Sequence, residues 1–431
     1  MQLGSKNNSI VMKTINDKVA HTSNVRNFFE KHPAFSPQDD PLLNHKWAHR
    51  WFEWIEATVE DDVYTFQEVL QGRSGAEVMI NDAPFYMMSS YDYMGLIGHP
   101  KIEAAAIDAI KKYGTGTGGV RLLTGTNELH EQLEKEISSF KGTEAAMVFS
   151  SGYMANMAVI AALFGGRHDV IIADEYIHRS IADAIKLSGI TPVSFKHNDA
   201  TSLEKILCST STSARKLIIV EGVYSMDGDI CNLPDIVSLK EKYGALLMID
   251  EAHSLGVLGR DGRGVNDHYN IPAEKIDIFT GSLSKAIPSN GGFIAARESD
   301  ILYLKHGGAP YMFSAASTPA NNAAAIAALN IMQEENYRLE TLWNNTQLLI
   351  DGLKDAGIET GFSASPIVPV IAGSNERAFS LSKKLFDEGF IATAVIYPAV
   401  PAGKARLRLC CTASHTPEII NHFIQTLERI I

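Results

Sequence analysis

Between residues 145 and 296 the chain repeats one pattern, a short apolar run followed by a polar turn and then a helical stretch. The runs lie at 145–150 (AAMVFS), 170–174 (VIIAD), 192–197 (PVSFKH), 216–223 (KLIIVEGV), 245–251 (ALLMIDE), 277–284 (DIFTGSLS) and 291–296 (GGFIAA). Most are rich in Val and Ile without alternation, as strands covered on both faces must be. Helical patterns separate the first five: ANMAVIAALFG, RSIADAIKLSG, SLEKILCS and LPDIVSLKEKYG. This alternation predicts right-handed crossovers and a mostly parallel, seven-stranded, doubly wound α/β sheet. The last two runs are joined too closely for a crossover, so one of them is expected to run antiparallel.

The flanks read differently. Residues 1–85 form an N-terminal extension that starts as a polar, mobile stretch to about residue 40. There Trp47, Trp51 and Trp54 recur at helical spacing, an apolar face to be docked on the body or on a second subunit, with surface display as the alternative. The stretch EVMINDAPFYMMSS reads as a hairpin turning at Asn81-Asp82. PKIEAAAIDAIKKYG reads as a helix from Pro100 to Gly114. GTGTGGVRLLTGT is a site-lining loop rather than a P-loop, since no GK[ST] follows. Residues 86–317 are expected to be the large domain, and 318–431 a small α+β domain that begins with a long helix or helix pair.

A net charge of −12 argues against nonspecific nucleic-acid binding, which needs a basic face. No apolar stretch approaches the roughly 20 residues of a membrane span. The first 24 residues lack the apolar core of a secretory signal. Cys208, Cys231, Cys410 and Cys411 have no metal-ligand spacing, so no metal and a reduced cytoplasmic setting are expected.

Open α/β sheets place ligands at the carboxyl ends of their strands. Asp250-Glu251-Ala252-His253 ends one run, and Gly281-Ser282-Leu283-Ser284-Lys285 ends another. A pyridoxal phosphate enzyme needs a lysine for the cofactor aldehyde, a carboxylate for the ring nitrogen, donors for the phosphate and a flat group over the ring. Lys285 suits the first need, although a lysine at such a turn is more often an exposed loop residue. Asp250 suits the second, because a buried carboxylate requires a cationic partner. Ser151, Gly152 and Tyr153 open a helix whose free N–H groups point at an anion. Ser225 and His178 follow two further strands. Each signal is weak alone, and their convergence on one sheet edge strengthens the whole.

The stretches YDYMGLIGHP, GTGTGGVRLLTGT, FSSGYMANMAVI, HND (197–199), EGVYSMDGDICNLPDI, IDEAHSLGVLGRDGRG, TGSLSK, MFSAASTP and PAVPAGKARLR together resemble the α-oxoamine synthases, pyridoxal 5′-phosphate enzymes of fold type I. The resemblance runs from about residue 89 to 415. It implies that Lys285 forms the Schiff base and takes the Cα proton, and that Asp250 pairs with the ring nitrogen. His253 and Ser225 would lie near the ring hydroxyl, and His178 would stack on the ring. Gly152, Tyr153 and Ser282 would hold the phosphate, and Ser314 would reach the phosphate of a second subunit in a homodimer with shared sites. Arg408 would hold the amino-acid carboxylate as a bidentate pair.

The implied reaction joins an amino acid to an acyl thioester with loss of carbon dioxide, giving an α-amino ketone. Tyr91, with RLLTGT, EGVYSM, Ala315 and HTPE, looks more like the bacterial serine palmitoyltransferases, which favours serine. SMDGD and ARLRL fit the 8-amino-7-oxononanoate synthases equally well, which leaves alanine with a pimeloyl thioester as the alternative. A glycine-using acetyltransferase, or a specialised relative fed by an acyl carrier protein instead of acyl-CoA, also stays open. Ala286-Ile287-Pro288-Ser289-Asn290 departs from both patterns.

Overall fold

The computed structural model describes residues 24–431. Of the start expected to be mobile, residues 1–23 lie outside the described part. Within the rest, Asn24–Lys31 is a helix, and Phe28 packs on Phe35 and Phe52, an apolar contact that the polar composition hid.

The chain divides into two compact units. One comprises Tyr91–Asn344 with Phe362–Pro366; the other joins the segment through Ser90 to residues 345–361 and 367–431.

The strands, in chain order, are β1 (Glu77–Ile80), β2 (Ala83–Met87), β3 (Ala145–Phe149), β4 (Asp169–Asp174), β5 (Val193–Phe195), β6 (Arg215–Glu221), β7 (Leu246–Asp250), β8 (Ile278–Ser284), β9 (Pro288–Ala296), β10 (Ile367–Gly373), β11 (Phe390–Ile391), β12 (Thr393–Val395) and β13 (Ala405–Cys410). The larger unit holds a seven-stranded sheet in the order β3-β9-β8-β7-β6-β4-β5. Strands β5, β4, β6, β7 and β8 run parallel, while β9 is antiparallel to both β8 and β3. The antiparallel strand is therefore the one that the short connection foretold. Ser284 pairs with Pro288, so β8 and β9 form a hairpin with Lys285, Ala286 and Ile287 at its tip. Pro288, at the first position of β9, occupies a place where a missing N–H is tolerated.

Helices Gly152–Leu163, Arg179–Ser188, Ala200–Ser209 and Leu233–Tyr243 fill the crossovers. Ile171, Ile219, Met248, Ile278 and Ile294 of the sheet pack with Ala155, Val159 and Ile181 of the helices in one buried cluster. The helix Glu128–Lys141 has no counterpart in the sequence reading. Its signals are present: a capping box from Asn127 to His130, apolar Leu133, Ile137 and Phe140 on one face, and left-handed Gly142 at the end. After residue 318 a helix pair forms, Pro319–Glu334 and Tyr337–Asp355.

In the other unit β1 and β2 make the expected hairpin. Asn81 and Asp82 carry φ of 48° and 61°, the left-handed pair that a two-residue turn needs. A second antiparallel sheet, β10-β13-β12, packs against helices Asn375–Asp387 and Pro417–Ile430. The tryptophan face docks only in part. Trp54 packs against Phe66 and Phe379, whereas Trp47 and Trp51 are 62% and 45% exposed.

Candidate active site

Glu221 and Asp250 end the adjacent parallel strands β6 and β7, and Thr280, the third residue of β8, shares their register. Their side chains therefore leave the same face of the sheet. The helix Gly152–Leu163 covers that face and contributes Asn156, which is fully enclosed. Its amide Nδ2 donates to Asp250 Oδ2 (2.8 Å) and to Ser180 Oγ (2.9 Å), and its Oδ1 accepts from Thr280 Oγ1 (2.7 Å). The Ala252 N–H donates to Asp250 Oδ1 at 2.9 Å. Each oxygen of the buried Asp250 thus accepts a hydrogen bond, which offsets part of the cost of leaving water.

Lys285, at the hairpin tip, puts its Nζ 2.9 Å from His253 Nε2. The other ring nitrogen of His253 meets Tyr93 Oη at 2.8 Å, so both edges of this buried imidazole are engaged. Tyr91 lies edge-on to His253, with ring centroids 5.8 Å apart, and its ring centre is 6.0 Å from Lys285 Nζ. Ala286 and Ile287 anchor the tip, since both are buried. Gly256, at φ +76°, lies where a side chain would meet Ala286 Cβ at 2.4 Å.

His178 caps the helix Arg179–Ser188, its Nδ1 lying 2.7 Å from Ser180 Oγ. The residue is exposed. Even so, the surrounding protein pushes its pKa below the usual 6.5, mainly through desolvation, with Asp250 opposing and the Lys285 charge adding. Through Ser180, which also accepts from Asn156, His178 is linked by hydrogen bonds to the network around Asp250.

Ser151 caps the helix Gly152–Leu163, accepting from Met154 N–H at 3.3 Å. The Gly152 and Tyr153 N–H groups precede the first bond of that helix, from Ala155 N to Ser151 O. The Tyr153 hydroxyl is turned aside and donates to Asp183. A side chain at Gly152 would come within 3.1 Å of Gly281 O, so the helix start abuts the end of β8, where Ser282 Oγ meets Ser284 Oγ at 2.8 Å. N–H groups, two hydroxyls and the positive helix end suit a phosphate. Ser225 is buried in the turn after β6, which Tyr224 N–H closes on Asp229 O.

The contacts described so far involve neither Ser314 nor Arg408. Ser314 follows a short helix and lines a small cavity with Arg121, Ser150, Tyr311 and Ser317. Arg408 belongs to the other unit, on β13. It is buried there, with Nη1 donating to Cys410 Sγ at 3.3 Å and its carbonyl accepting from Ser89 Oγ at 3.1 Å. Asn156, Tyr93, Thr280 and Glu221 are the site residues that the sequence reading passes over. A polar Asn156 on an otherwise apolar helix was the available signal.

The model for aminotransferase class I and II matches residues 84–427. The chain belongs to that family. Within it, the chain is an α-oxoamine synthase by kinship. It is 43% identical over 379 residues to the 8-amino-7-oxononanoate synthase of Thermoanaerobacter pseudethanolicus, covering 88% of this chain and 95% of that protein. It is also 43% identical over 386 residues to the serine palmitoyltransferase of Bacteroides ovatus, covering 90% and 97%. Among solved structures, Sphingomonas wittichii serine palmitoyltransferase overlays with a TM-score of 0.86 at 33% identity, covering 89% of this chain and 97% of that one. A Francisella tularensis 8-amino-7-oxononanoate synthase overlays at 0.70 and 28%, covering 80% and 97%. These α-oxoamine synthases share the doubly wound sheet on which Lys285 and Asp250 are placed.

Proposed function

We propose that this enzyme condenses a small amino acid, serine in preference, with an acyl thioester, releasing thiol and carbon dioxide and leaving an α-amino ketone. The cofactor is pyridoxal 5′-phosphate, which when bound supplies the electron sink for the bond-breaking at Cα. The observation that carries the reading is the grouping of Lys285, His253, Asp250 and His178 around the carboxyl ends of β7 and β8.

Lys285 would hold the cofactor aldehyde and is the base placed to take the Cα proton of the amino acid. His253 orients the lysine amine. Asp250 offers its carboxylate to the ring nitrogen, and His178 covers the ring face. Ser225 would hydrogen-bond the ring hydroxyl. Gly152, Tyr153, Ser151 and Ser282 receive the phosphate. Arg408 pairs with the amino-acid carboxylate, and Tyr91 borders the substrate. A bond forms between Cα and the thioester carbonyl carbon, the thiol leaves, and the carboxyl group departs as carbon dioxide.

The preference for serine draws support from Tyr91 and from the higher overlay with serine palmitoyltransferase. Alanine with a pimeloyl thioester is the second reading, favoured by the equal identity to 8-amino-7-oxononanoate synthase. A cytoplasmic homodimer fits as well. No helix among the described residues is long and apolar enough to cross a membrane. Leu123 and Phe313, 77% and 80% exposed, flank the Val120–Ala315 bridge, and Ser314 follows Phe313 directly.

The test is thiol release from acyl-CoA or acyl carrier protein with serine, alanine and glycine in turn. Fastest release with serine is expected, while alanine winning would move the assignment to the second reading. No release from any pair would overturn the class. Lys285→Ala should abolish the visible absorption of the lysine-linked cofactor, and an unchanged spectrum would sink the role given to Lys285.

A further inference from the structure

Glu221 is buried at the end of β6, beside Asp250 on β7 in strict register. Two carboxyl groups on neighbouring strands thus share one face and one dry environment. Their surroundings differ. Asp250 receives hydrogen bonds on both oxygens, from Asn156 and Ala252. Glu221 Oε1 is enclosed and has no hydrogen-bond partner among the described residues. An ionised carboxylate left with an unpartnered oxygen in such a place is costly, and a like charge next to it adds to the cost.

We infer that Glu221 is held as a neutral carboxylic acid, which leaves Asp250 as the anionic member of the pair. Of the groups acting on Glu221, Asp250 and Asp174 favour its protonated form, while the Lys285 charge and the His178 N–H oppose it. Desolvation is the largest influence and raises its pKa well above 4.5. One negative charge on the pair matches one positive charge on a ring nitrogen. Two would leave an uncompensated anion. This last step rests on the role proposed for Asp250; the protonation of Glu221 does not.

Linkage gives the sign. The folded state keeps a proton that the unfolded chain releases above about pH 4.3. The contribution of Glu221 to stability is full below that pH and is lost as pH rises toward its folded value. The folding constant of the wild type, measured by denaturant titration of the full chain from about pH 5 to 8, should therefore fall about tenfold per pH unit relative to Glu221→Gln. Infrared spectra of the wild type at neutral pH should also show the carbonyl stretch of a protonated carboxylic acid. That band should shift on ¹³C-glutamate labelling, a reading that needs no variant to fold. Parallel pH profiles for wild type and Glu221→Gln, or no labelled acid band, would overturn the inference. Neither readout depends on turnover, so substrate assays can fail while this result stands.

Discussion

Tyr93 Oη and Lys285 Nζ grip the two nitrogens of one imidazole, that of His253, at 2.8 and 2.9 Å. The lysine is thus steered by a residue 192 positions earlier in the chain, through a ring that is itself buried. A long, flexible side chain at a hairpin tip loses rotamer freedom in this way before any substrate arrives.

Tyr93→Phe removes one hydrogen bond and leaves the ring in place. The lost bond is worth about 0.5–1.5 kcal/mol, so turnover should fall by about three- to tenfold while the unfolding midpoint moves little. Steady-state kinetics set beside thermal melts make the comparison. Wild-type turnover in the variant would mean that His253 needs no help from Tyr93 to orient Lys285.

Asn156 joins Asp250, Ser180 and Thr280 through three hydrogen bonds of 2.7–2.9 Å. Asn156→Ala strands Asp250 Oδ2 and Thr280 Oγ1 in a dry interior, while Ser180 Oγ keeps His178 Nδ1 as a partner. Each stranded group costs about 1–3 kcal/mol, and the loss should show as a lower denaturation midpoint and weaker cofactor retention on dialysis. Adding Thr280→Val, which removes one stranded hydroxyl, should restore part of the stability. If the single variant matches the wild type in both measurements, the network carries no weight.

Gly256 is a site where size and backbone both count. Its φ of +76° is unfavourable for other residues, and a methyl group there would lie 2.4 Å from Ala286 Cβ, next to Lys285. Gly256→Ala should cost about 1–3 kcal/mol and slow cofactor capture by displacing the hairpin tip. Pairing it with Ala286→Gly relieves the clash but not the backbone strain, so stopped-flow absorbance should recover further than the melting temperature. Equal recovery of both would show the clash to be the whole effect.

The strand ends were legible because a buried parallel strand is a nearly unbroken apolar run, and the polar residue that ends it marks the sheet's carboxyl edge. Asp250 and Lys285 stand at such ends, and the short link between their neighbours at 284 and 291 foretold the antiparallel β9. Tyr93 was not legible, because its partner lies 160 residues away, and Asn156 stood out only as a polar residue on an apolar helix, with its partner Asp250 94 residues off. No local pattern encodes a contact of that span. Trp47 and Trp51 kept helical spacing yet stand exposed, since period alone does not say how wide the covering surface is. Helix 128–141 carries its caps and its apolar residues Leu133, Ile137 and Phe140 in plain view, so that element was legible from local sequence alone.

His197 provides a pH test away from the lysine. It sits between Asp174 and Asp229, 2.9 Å from one and 3.0 Å from the other, and stacks on Tyr176 at 4.3 Å. Burial alone would lower its pKa, but the two carboxylates outweigh that and hold it up at about 10. A group whose folded pKa is raised stabilises fully below its unfolded value, near 6.5, and this stabilisation is lost as pH rises through the folded one. Wild-type stability should therefore decline between about pH 6.5 and 10, more steeply than that of His197→Gln, which keeps a donor but cannot titrate. Melting temperatures of both proteins across that range decide the matter. If the two curves keep a constant separation, His197 is not protonated between its carboxylates.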